Sequence, residues 1–275
     1  MAQESNMGAP ISHQKIAGRH HPLVKRVRGM ARAGDLSPDG LVLLETVRLV
    51  EEALGSGAAI PQLLVDGQGS PRVRSLLRKL PAETVICEVA PEVFRRLAST
   101  ETPQGILALA RVPLWREQDL FPSGSPLLLL VTGLQDPGNL GTVLRSAEAF
   151  GVTGIILTRS TVSPYNAKVV RATAGAVFRI PMLRNLTAAE AVALLRRRRV
   201  RLFSSVVRGG RRLPEIDCAG PMAVAIGSEG AGLPQEISAA GRRLTIPMAA
   251  AVESLNAATA AAVILYEIAR QRNSG

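Results

Sequence analysis

Residues 127–141 read LLLLVTGLQDPGNLG, and this stretch decides the fold of the second half of the chain. Its first five residues are all apolar, which indicates a β-strand buried on both faces, as in a parallel sheet. The loop that follows contains glycine and proline, and after it Leu140 and Leu144 recur at helical spacing. A buried strand, a short loop and an amphipathic helix together predict an α/β domain.

The remaining sequence extends this pattern in both directions. Further buried strands are predicted over residues 154–157, 201–206, 222–226 and 244–246, and the last helix is predicted from about residue 254 to residue 272. Residues 127–275 are therefore predicted to form a parallel α/β sheet domain. Residues 18–111 alternate short strands and helices and predict a smaller α/β domain. Residues 112–126 contain three prolines and predict a linker, and residues 1–17 predict a flexible polar tail.

Composition and charge narrow the class of protein. The 275 residues are 47% hydrophobic, enough to bury a core, which excludes a disordered chain. The net charge is +11, and residues 126–275 hold 18 Lys+Arg against 9 Asp+Glu, whereas residues 1–125 hold 15 against 13. A basic surface of this size favours a nucleic-acid partner. The two cysteines and three histidines form no metal motif, and we expect neither a signal peptide nor a membrane span but a cytoplasmic protein.

Candidate site residues lie in loops that follow the buried strands, where open α/β sheets bind ligands. The first loop contains Asn139, which is placed to cap the following helix. Arg145 lies six residues later and is predicted within the first two helical turns. The helix dipole does not favour an arginine there, so we expect a phosphate or carboxylate partner for Arg145.

The second loop reads IGSEGAGL over residues 226–233 and places Glu229 among three glycines. The glycine order differs from the dinucleotide fingerprint, and a carboxylate inside the loop would repel a pyrophosphate. A nicotinamide-dependent dehydrogenase is therefore disfavoured, and a ligand with amine, hydroxyl or positive groups is favoured instead.

The third loop follows the strand predicted at 244–246. It contains Ser254, which we expect to cap the last helix, and Asn256, which we expect in the first helical turn with its side chain free to reach a ligand. Each loop alone could be a simple turn or helix cap. All three together, in this order, indicate one composite site.

The three loops resemble motifs 1, 2 and 3 of the SpoU/TrmH class of the SPOUT methyltransferases. The resemblance is carried by Asn139-Leu140-Gly141 with Arg145, by residues 226–232, and by Ile246-Pro247-Met248 with Glu253-Ser254-Leu255-Asn256. Residues 165–176 resemble the segment that this family has between motifs 1 and 2. Residues 43–45, 48–50 and 102–108 resemble the family's accessory RNA-binding domain, which is similar in fold to kink-turn-binding ribosomal proteins.

The resemblance implies a fold, a reaction and a site. The fold is a parallel sheet with a C-terminal trefoil knot, and the protein is a homodimer. The reaction is transfer of a methyl group from S-adenosylmethionine (SAM), without a metal, to a ribose 2′-hydroxyl of RNA, with 23S-type ribosomal RNA as the expected substrate. The implied catalytic residues are Asn139, Arg145, Glu229, Ser254 and Asn256. The implied SAM-binding residues are Gly227, Ile246, Leu255, Ser205, Val206 and Gly232.

Two basic stretches are candidates for RNA contact. The first begins the presumed RNA-binding domain without any intervening acid and comprises Arg19, Lys25, Arg26, Arg28 and Arg32. The second comprises residues 196–199 and Arg201, near the end of a predicted helix. Arginines there also complement the helix dipole and face water, which is the simpler explanation for the second stretch.

Three alternatives stay open from the sequence. The chain could be a catalytically silent RNA-binding or ribosome assembly factor, a methyltransferase for transfer RNA, or a SPOUT enzyme that methylates a base. A rise in melting temperature with SAM would separate the silent factor from an enzyme, because a ligand of the native state stabilises it.

Overall fold

The structure, a computed structural model, describes residues 13–16, 18–67, 69–249 and 251–273. These residues divide into two compact units. One unit extends to Pro113 and also includes Tyr165–Phe178, and the other comprises Leu114–Pro164 and the chain from Arg179 onward. No helix within the described residues is long and apolar enough to cross a membrane.

Helices and strands are numbered in chain order. The strands are β1 (His13–Ile16), β2 (Leu41–Leu44), β3 (Gln62–Val65), β4 (Val85–Val89), β5 (Ile106–Arg111), β6 (Leu127–Val131), β7 (Gly154–Thr158), β8 (Met182–Leu186), β9 (Arg201–Ser205), β10 (Arg211–Arg212), β11 (Met222–Ile226) and β12 (Arg242–Thr245). The α-helices are α1 (Pro22–Ala33), α2 (Val47–Gly55), α3 (Pro71–Leu77), α4 (Pro91–Arg95), α5 (Pro137–Ala149), α6 (Ala167–Ala172), α7 (Ala188–Arg197), α8 (Gln235–Ala240) and α9 (Ala257–Asn273).

The first unit is built on a mixed five-stranded sheet with the order β1-β4-β3-β5-β2. Strands β1, β4 and β3 are parallel, and β5 runs antiparallel to both of its neighbours. Apolar residues of α1, among them Val24 and Val27, are fully buried against this sheet together with Phe94. The predicted small α/β domain is therefore present.

The start of this unit differs from the sequence prediction. Residues 13–16 were assigned to a polar tail, but they form β1, which pairs along its length with β4. The polar side chains gave no apolar run to detect, because β1 is an edge strand held by backbone hydrogen bonds. The predicted flexibility of residues 1–12 and 17 lies outside the described residues.

Tyr165–Phe178 belongs to the first unit although the sequence assigned it to the methyltransferase domain. Arg171 of this segment pairs at 3.1 Å with the buried carboxylate of Glu45, and both side chains hydrogen-bond to the hydroxyl of Ser99. Phe178 is also buried. These long-range contacts explain the assignment, and no local sequence pattern encodes them.

The second unit is built on a seven-stranded sheet with the order β10-β12-β9-β11-β6-β7-β8. Every neighbouring pair is parallel, as predicted. Strands β6, β7 and β11 are buried at every position, which is expected for strands covered on both faces. Strand β8 was not predicted, because its exposed and half-buried polar residues break the apolar pattern.

The predicted linker 112–126 is partly built into the core of this unit. Residues Glu117–Leu120 form a 3-10 helix, and Leu120 is fully buried beside Leu128 and Ile156. Gly154, at the start of β7, permits this packing, because a Cβ there would lie 2.8 Å from the Cα of Leu120. One leucine thus anchors a segment whose prolines and polar residues predicted a linker.

Candidate active site

Four adjacent strands of the second unit define where the site lies. In the order β12-β9-β11-β6 they are parallel neighbours, so their carboxyl ends share one edge of the sheet. The loops after β6, β11 and β12 are the three loops identified in the sequence. Strand β9 adds Ser205 and Val206 at the same edge.

Helix α5 begins two residues earlier than Asn139. Asp136 is its N-cap and accepts a hydrogen bond from the backbone N–H of Asn139 at 2.7 Å. The prediction that Asn139 caps the helix is therefore wrong, and its side chain is available for other contacts. Arg145 is consequently in the middle of α5, so the argument from the helix start does not apply to it.

Helix α9 begins three residues later than predicted, at Ala257. Asn256 is the capping residue, because its Oδ1 accepts hydrogen bonds from the backbone N–H groups of Ala258 and Thr259 at 3.0 and 3.3 Å. Ser254 was expected to cap this helix but lies outside it, exposed in the preceding loop. The sequence therefore located the start of α9 to within three residues, but the helix cap is Asn256 and not Ser254.

Asn139, Glu229 and Asn256 form a closed hydrogen-bond network from the three loops. Asn139 Nδ2 donates to Glu229 Oε1 at 2.7 Å, and Asn256 Nδ2 donates to the same oxygen at 3.0 Å and to Asn139 Oδ1 at 3.1 Å. The backbone N–H of Ala257 also donates to Glu229 Oε1, at 3.3 Å. Within the described residues, Glu229 Oε2 has no hydrogen-bond partner, so it can accept one from a ligand.

Helix capping fixes the orientation of this network. Because Asn256 Oδ1 faces the first N–H groups of α9, its Nδ2 must point toward Glu229 and Asn139. Glu229 can only accept, so Asn139 must present its own Nδ2 to the carboxylate. The amide orientations follow from this chain of donors and acceptors rather than from a free choice.

A cavity of about 340 Å³ opens next to the network, and Glu229 lines it. This volume is in the range of small-molecule sites. All six residues that the sequence assigned to SAM line this cavity: Ser205, Val206, Gly227, Gly232, Ile246 and Leu255. Ser254 lines it as well. The catalytic candidates Asn139, Arg145 and Asn256 do not, although two of them hold Glu229 at its edge.

Gly227 determines the shape of one cavity wall. A Cβ at this position would lie 2.8 Å from the backbone nitrogen of Leu233 and closer still to the carbonyl of Gly232. Gly232 itself has a positive φ of 67° and faces Ser228 in an antiparallel bridge. The glycine-rich loop therefore folds tightly back on itself, which only a residue without a side chain permits at 227.

Several lining residues were not among the six that the sequence assigned to SAM. Val207, Leu233, Leu244 and Met248 add apolar surface, and α9 contributes Ile264 from its second turn. Position after a buried strand could have indicated Val207. Ile264 carries no such signal, because the packing of α9 alone brings it to the cavity.

Arg145 is separate from the network. It is exposed and, among the described residues, has no hydrogen-bond or ion-pair partner. The expected pairing of Glu229 with Arg145 is therefore not formed. No group of His, Cys, Asp and Glu that could hold a metal ion occurs within the described chain.

The basic residues of the first unit lie on and before α1. Lys25, Arg28 and Arg32 are spaced at helical intervals on one face and have no hydrogen-bond or ion-pair partner among the described residues. Arg26 instead pairs with Asp39 at 2.6 Å. Hydrogen bonds from Ser37 and then Arg26 hold the pKa of Asp39 below its ordinary value. Arg19 is exposed and donates to the neighbouring His20.

The basic stretch at 196–201 is largely neutralised. Arg197 and Arg198 both pair with Glu117, at 2.7 and 2.8 Å, and Arg201 pairs with Asp217 at 3.4 Å. Hydrogen bonds from Arg197 and Arg198 lower the pKa of Glu117. The simpler explanation for this stretch, a solvated helix end, therefore agrees better with the structure.

Comparison with known proteins identifies the class. A solved structure of the SpoU methyltransferase AviRb from Streptomyces viridochromogenes, in complex with the cofactor AdoMet, superimposes with a TM-score of 0.83 at 29% identity and covers 93% of this chain and 100% of that chain. The fold is thus that of the SPOUT methyltransferases.

The sequence comparisons define the family. The SpoU rRNA methylase family matches residues 126–266, and an MRM3-like substrate binding domain matches residues 21–108. A Bacillus subtilis relative, 23S rRNA (guanosine(2553)-2′-O)-methyltransferase RlmP, is 34% identical over 82% of this chain and 87% of its own. A Streptomyces viridochromogenes 23S rRNA (uridine(2479)-2′-O)-methyltransferase is 34% identical over 86% of this chain and 85% of its own. The chain belongs to the SpoU rRNA methylase family.

Proposed function

We propose that this protein transfers a methyl group from SAM to a ribose 2′-hydroxyl of 23S-type ribosomal RNA. Two relatives that align over most of this chain are named as 2′-O-methyltransferases of 23S ribosomal RNA. The observation that carries the proposal is the network of Asn139, Glu229 and Asn256 at the edge of the cavity. The silent-factor alternative is not favoured, because Asn139, Glu229 and Asn256 are all present and hold one another in a fixed orientation.

The cavity fits SAM in size and chemistry. Its apolar lining, which includes Leu244, Ile246 and Met248, suits an adenine ring, and the tight glycine turn leaves backbone groups accessible to the polar parts of the molecule. Bound SAM supplies a methyl group on a cationic sulfonium. Glu229 lines the same cavity, and its carboxylate favours a positively charged ligand there.

Glu229 is the group that connects donor and acceptor. Its Oε1 is held by three hydrogen bonds, so the carboxylate is fixed in position and its Oε2 can accept the hydrogen bond of a ribose hydroxyl. Orientation of the attacking oxygen against the methyl group lowers the entropic part of the barrier. We expect Glu229→Gln to lower turnover more than SAM affinity, because Gln keeps the shape and can still accept the network hydrogen bonds through Oε1, but it replaces the acceptor Oε2 with an NH2 donor.

Arg145 is assigned to the RNA rather than to the network. Its guanidinium stays protonated, so we infer that it binds the phosphate next to the target ribose and stabilises the developing alkoxide as a charge. Near-normal turnover of Arg145→Lys at raised pH would support a point-charge role. Equal losses of RNA binding and turnover would indicate a role in docking only.

The decisive experiment maps 2′-O-methyl groups on ribosomal RNA. Unmodified 23S RNA and, in a separate reaction, unmodified transfer RNA are incubated with the protein and radiolabelled SAM, and each product is analysed by nuclease digestion. One labelled 2′-O-methylnucleotide is expected in 23S RNA with wild type, and its label should accumulate more slowly with Glu229→Gln. A methyl group on a base, or label only in transfer RNA, would contradict the proposal.

The proposal includes a homodimer located in the cytoplasm. Exposed apolar residues of the second unit support the dimer: Val263 and Tyr266 on α9, with Phe150 packed edge-to-face on Tyr266 at 5.9 Å. Such a patch favours a protein interface. Sedimentation should give a dimer for wild type and a monomer for Tyr266→Glu, and a wild-type monomer would refute this part.

The first unit is assigned to substrate RNA. Lys25, Arg28 and Arg32 form a cationic stripe on α1 that can contact phosphates, whereas Arg26 is already paired with Asp39. We expect Arg28→Gln to weaken RNA binding and Arg26→Gln to affect it less. Equal effects of the two substitutions would contradict the stripe.

A further inference from the structure

The outer edge of the sheet in the second unit carries a concentration of arginine. Strand β10 contributes Arg211 and Arg212, and its neighbour β12 contributes Arg242 and Arg243. Arg208 lies in the loop just before β10, and all five residues are exposed. We propose that this arginine edge binds the phosphate backbone of the substrate RNA beside the cofactor cavity, an inference that rests on the function proposed above.

The strand register places Arg211 and Arg242 on one face of the two strands and Arg212 and Arg243 on the other. Strands β10 and β12 are parallel, with Arg211 opposite Leu244 and Arg212 opposite Thr245. Neighbouring strands are about 4.8 Å apart and residues about 3.3 Å apart along a strand, so the Cα atoms of Arg211 and Arg242 are roughly 8 Å apart. Long arginine side chains at this spacing can engage a shared stretch of backbone phosphates.

Little negative charge compensates the four arginines on the two strands. Among the described residues, Arg211 and Arg242 have no ion-pair or hydrogen-bond partner. Arg212 lies 3.8 Å from Glu215, but both side chains are more than half exposed, and such a pair contributes little. Arg243 donates to the backbone carbonyl of Arg208 at 3.4 Å, which neutralises no charge. Arg211 and Arg242 carry like charges on the same face of the two strands, and they repel one another unless a polyanion is present.

This arrangement depends on a specific backbone turn. Gly209 has a positive φ of 74°, and a Cβ on Gly210 would lie 2.6 Å from the carbonyl carbon of Leu244 and 2.9 Å from its nitrogen. Any other residue at 210 would force β10 away from β12. The two glycines therefore bring Arg211 and Arg212 into register with the arginines of β12.

The arginine edge is continuous with the wall of the cavity. Val207 and Leu244 line the cavity and immediately adjoin Arg208 and Arg243 in the sequence. Two hydrogen bonds tie these segments together, from the Val206 N–H to Leu244 O at 2.9 Å and from Thr245 Oγ1 to Val207 O at 2.8 Å. Arg208 and Arg243 are therefore next in the chain to residues that line the proposed SAM site, and an RNA strand bound to the arginine edge would lie beside that site.

An edge strand can also carry charges to prevent pairing with another sheet. Strand β10 is only two residues long, so it offers little template for such pairing. Arg242 and Arg243 lie on β12, which is covered by β10 on that side. Protection of the edge thus accounts for Arg211 and Arg212 at most, and RNA binding accounts for the whole cluster.

The test compares two double substitutions that remove the same charge from the full-length protein. Arg211→Gln/Arg242→Gln alters the arginine edge, and Arg197→Gln/Arg198→Gln alters arginines already paired with Glu117. Filter binding of unmodified 23S RNA is measured over a series of salt concentrations. We expect the first variant to bind about ten-fold more weakly, with the slope of log K against log salt reduced by about 1.4 to 1.8 for two lost phosphate contacts. The control variant should change binding less than about two-fold.

Additional measurements separate the outcomes. A wild-type protein that neither binds nor methylates this RNA refutes the proposed function itself. If wild type methylates this RNA but Arg211→Gln/Arg242→Gln binds it with unchanged affinity and salt slope, only the inference about the arginine edge is refuted. The same holds if increased self-association is the sole effect of the double substitution. Modification of arginine side chains with phenylglyoxal is carried out on the wild-type protein, so the result does not depend on the folding of a variant. RNA should protect Arg211 and Arg242 from it, and unchanged reactivity would overturn the inference.

Discussion

The substitution Gly227→Ala tests whether the glycine turn builds the SAM site. The new Cβ would lie 2.8 Å from the nitrogen of Leu233 and closer still to the carbonyl of Gly232. Both neighbours are backbone, so the turn at 227–233 must open by about 0.5–1 Å to relieve the overlap. Displacements of this size cost roughly 100-fold in sites that rely on fixed geometry. We expect SAM affinity to fall about 10- to 100-fold.

Gly230→Ala is the matched control. Gly230 lies in the same loop and lines the same cavity, but a Cβ there meets nothing within 4 Å, and its φ is not positive. We expect this variant to bind SAM as wild type does. The two substitutions add the same atom to one loop, so any difference between them reports the local clash.

The loss of SAM affinity can be measured as a smaller rise in melting temperature when SAM is added. At 100 times the wild-type Kd, a ligand stabilises the native state by about 2.7 kcal/mol, and a 30-fold rise in Kd reduces this to about 0.9 kcal/mol. At about 2–4 °C per kcal/mol, wild type and Gly230→Ala should gain roughly 5–11 °C and Gly227→Ala roughly 2–4 °C. Equal gains for Gly227→Ala and wild type would refute the assignment of the turn to the cofactor.

Three further predictions concern α9. Asn256→Ser keeps a residue that can cap the helix but removes the amide donor to Glu229. The variant protein should therefore keep most of its free energy of unfolding and lose about 10- to 100-fold in turnover. Full activity of this variant would exclude a positioning role for Asn256. Arg272 donates to the carbonyls of Ser125, Cys218 and Gly220 at 2.7–3.0 Å, and Arg272→Met should lower the free energy of unfolding by about 2–4 kcal/mol in denaturant titration; an unchanged midpoint would contradict this. Hydrogen bonds from Arg270 lower the pKa of Glu267 to about 2, from 4.5. The ionised carboxylate of Glu267 stabilises the fold above pH 4.5, and about 1–2 kcal/mol of the free energy of unfolding should be lost as pH falls toward 2. In Glu267→Gln the melting temperature should therefore change less between pH 4.5 and pH 2 than in wild type. The same dependence of melting temperature on pH in both proteins would refute this prediction.

Sequence alone determined the class of fold of the second unit and indicated where its cavity lies. The all-apolar run at 127–131 encodes a parallel sheet, because burial on both faces leaves no polar position. Polar and glycine residues directly after such strands encode a ligand site at the carboxyl edge. The six residues expected to bind SAM accordingly line one cavity. The trefoil knot stays a prediction, since it depends on the path of the chain through its own loops.

Tertiary structure decided how these residues act. In the folded chain, Asp136 caps α5 instead of Asn139, and Asn256 caps α9 instead of Ser254. The side chain of Asn139 is therefore available to hold Glu229. It also decides which arginines are neutralised, because ion pairs such as Arg197–Glu117 join residues 80 positions apart. Local spacing sets helices and strands, but hydrogen-bond partners and charge compensation depend on distances that exist only after the strands have taken their order in the sheet.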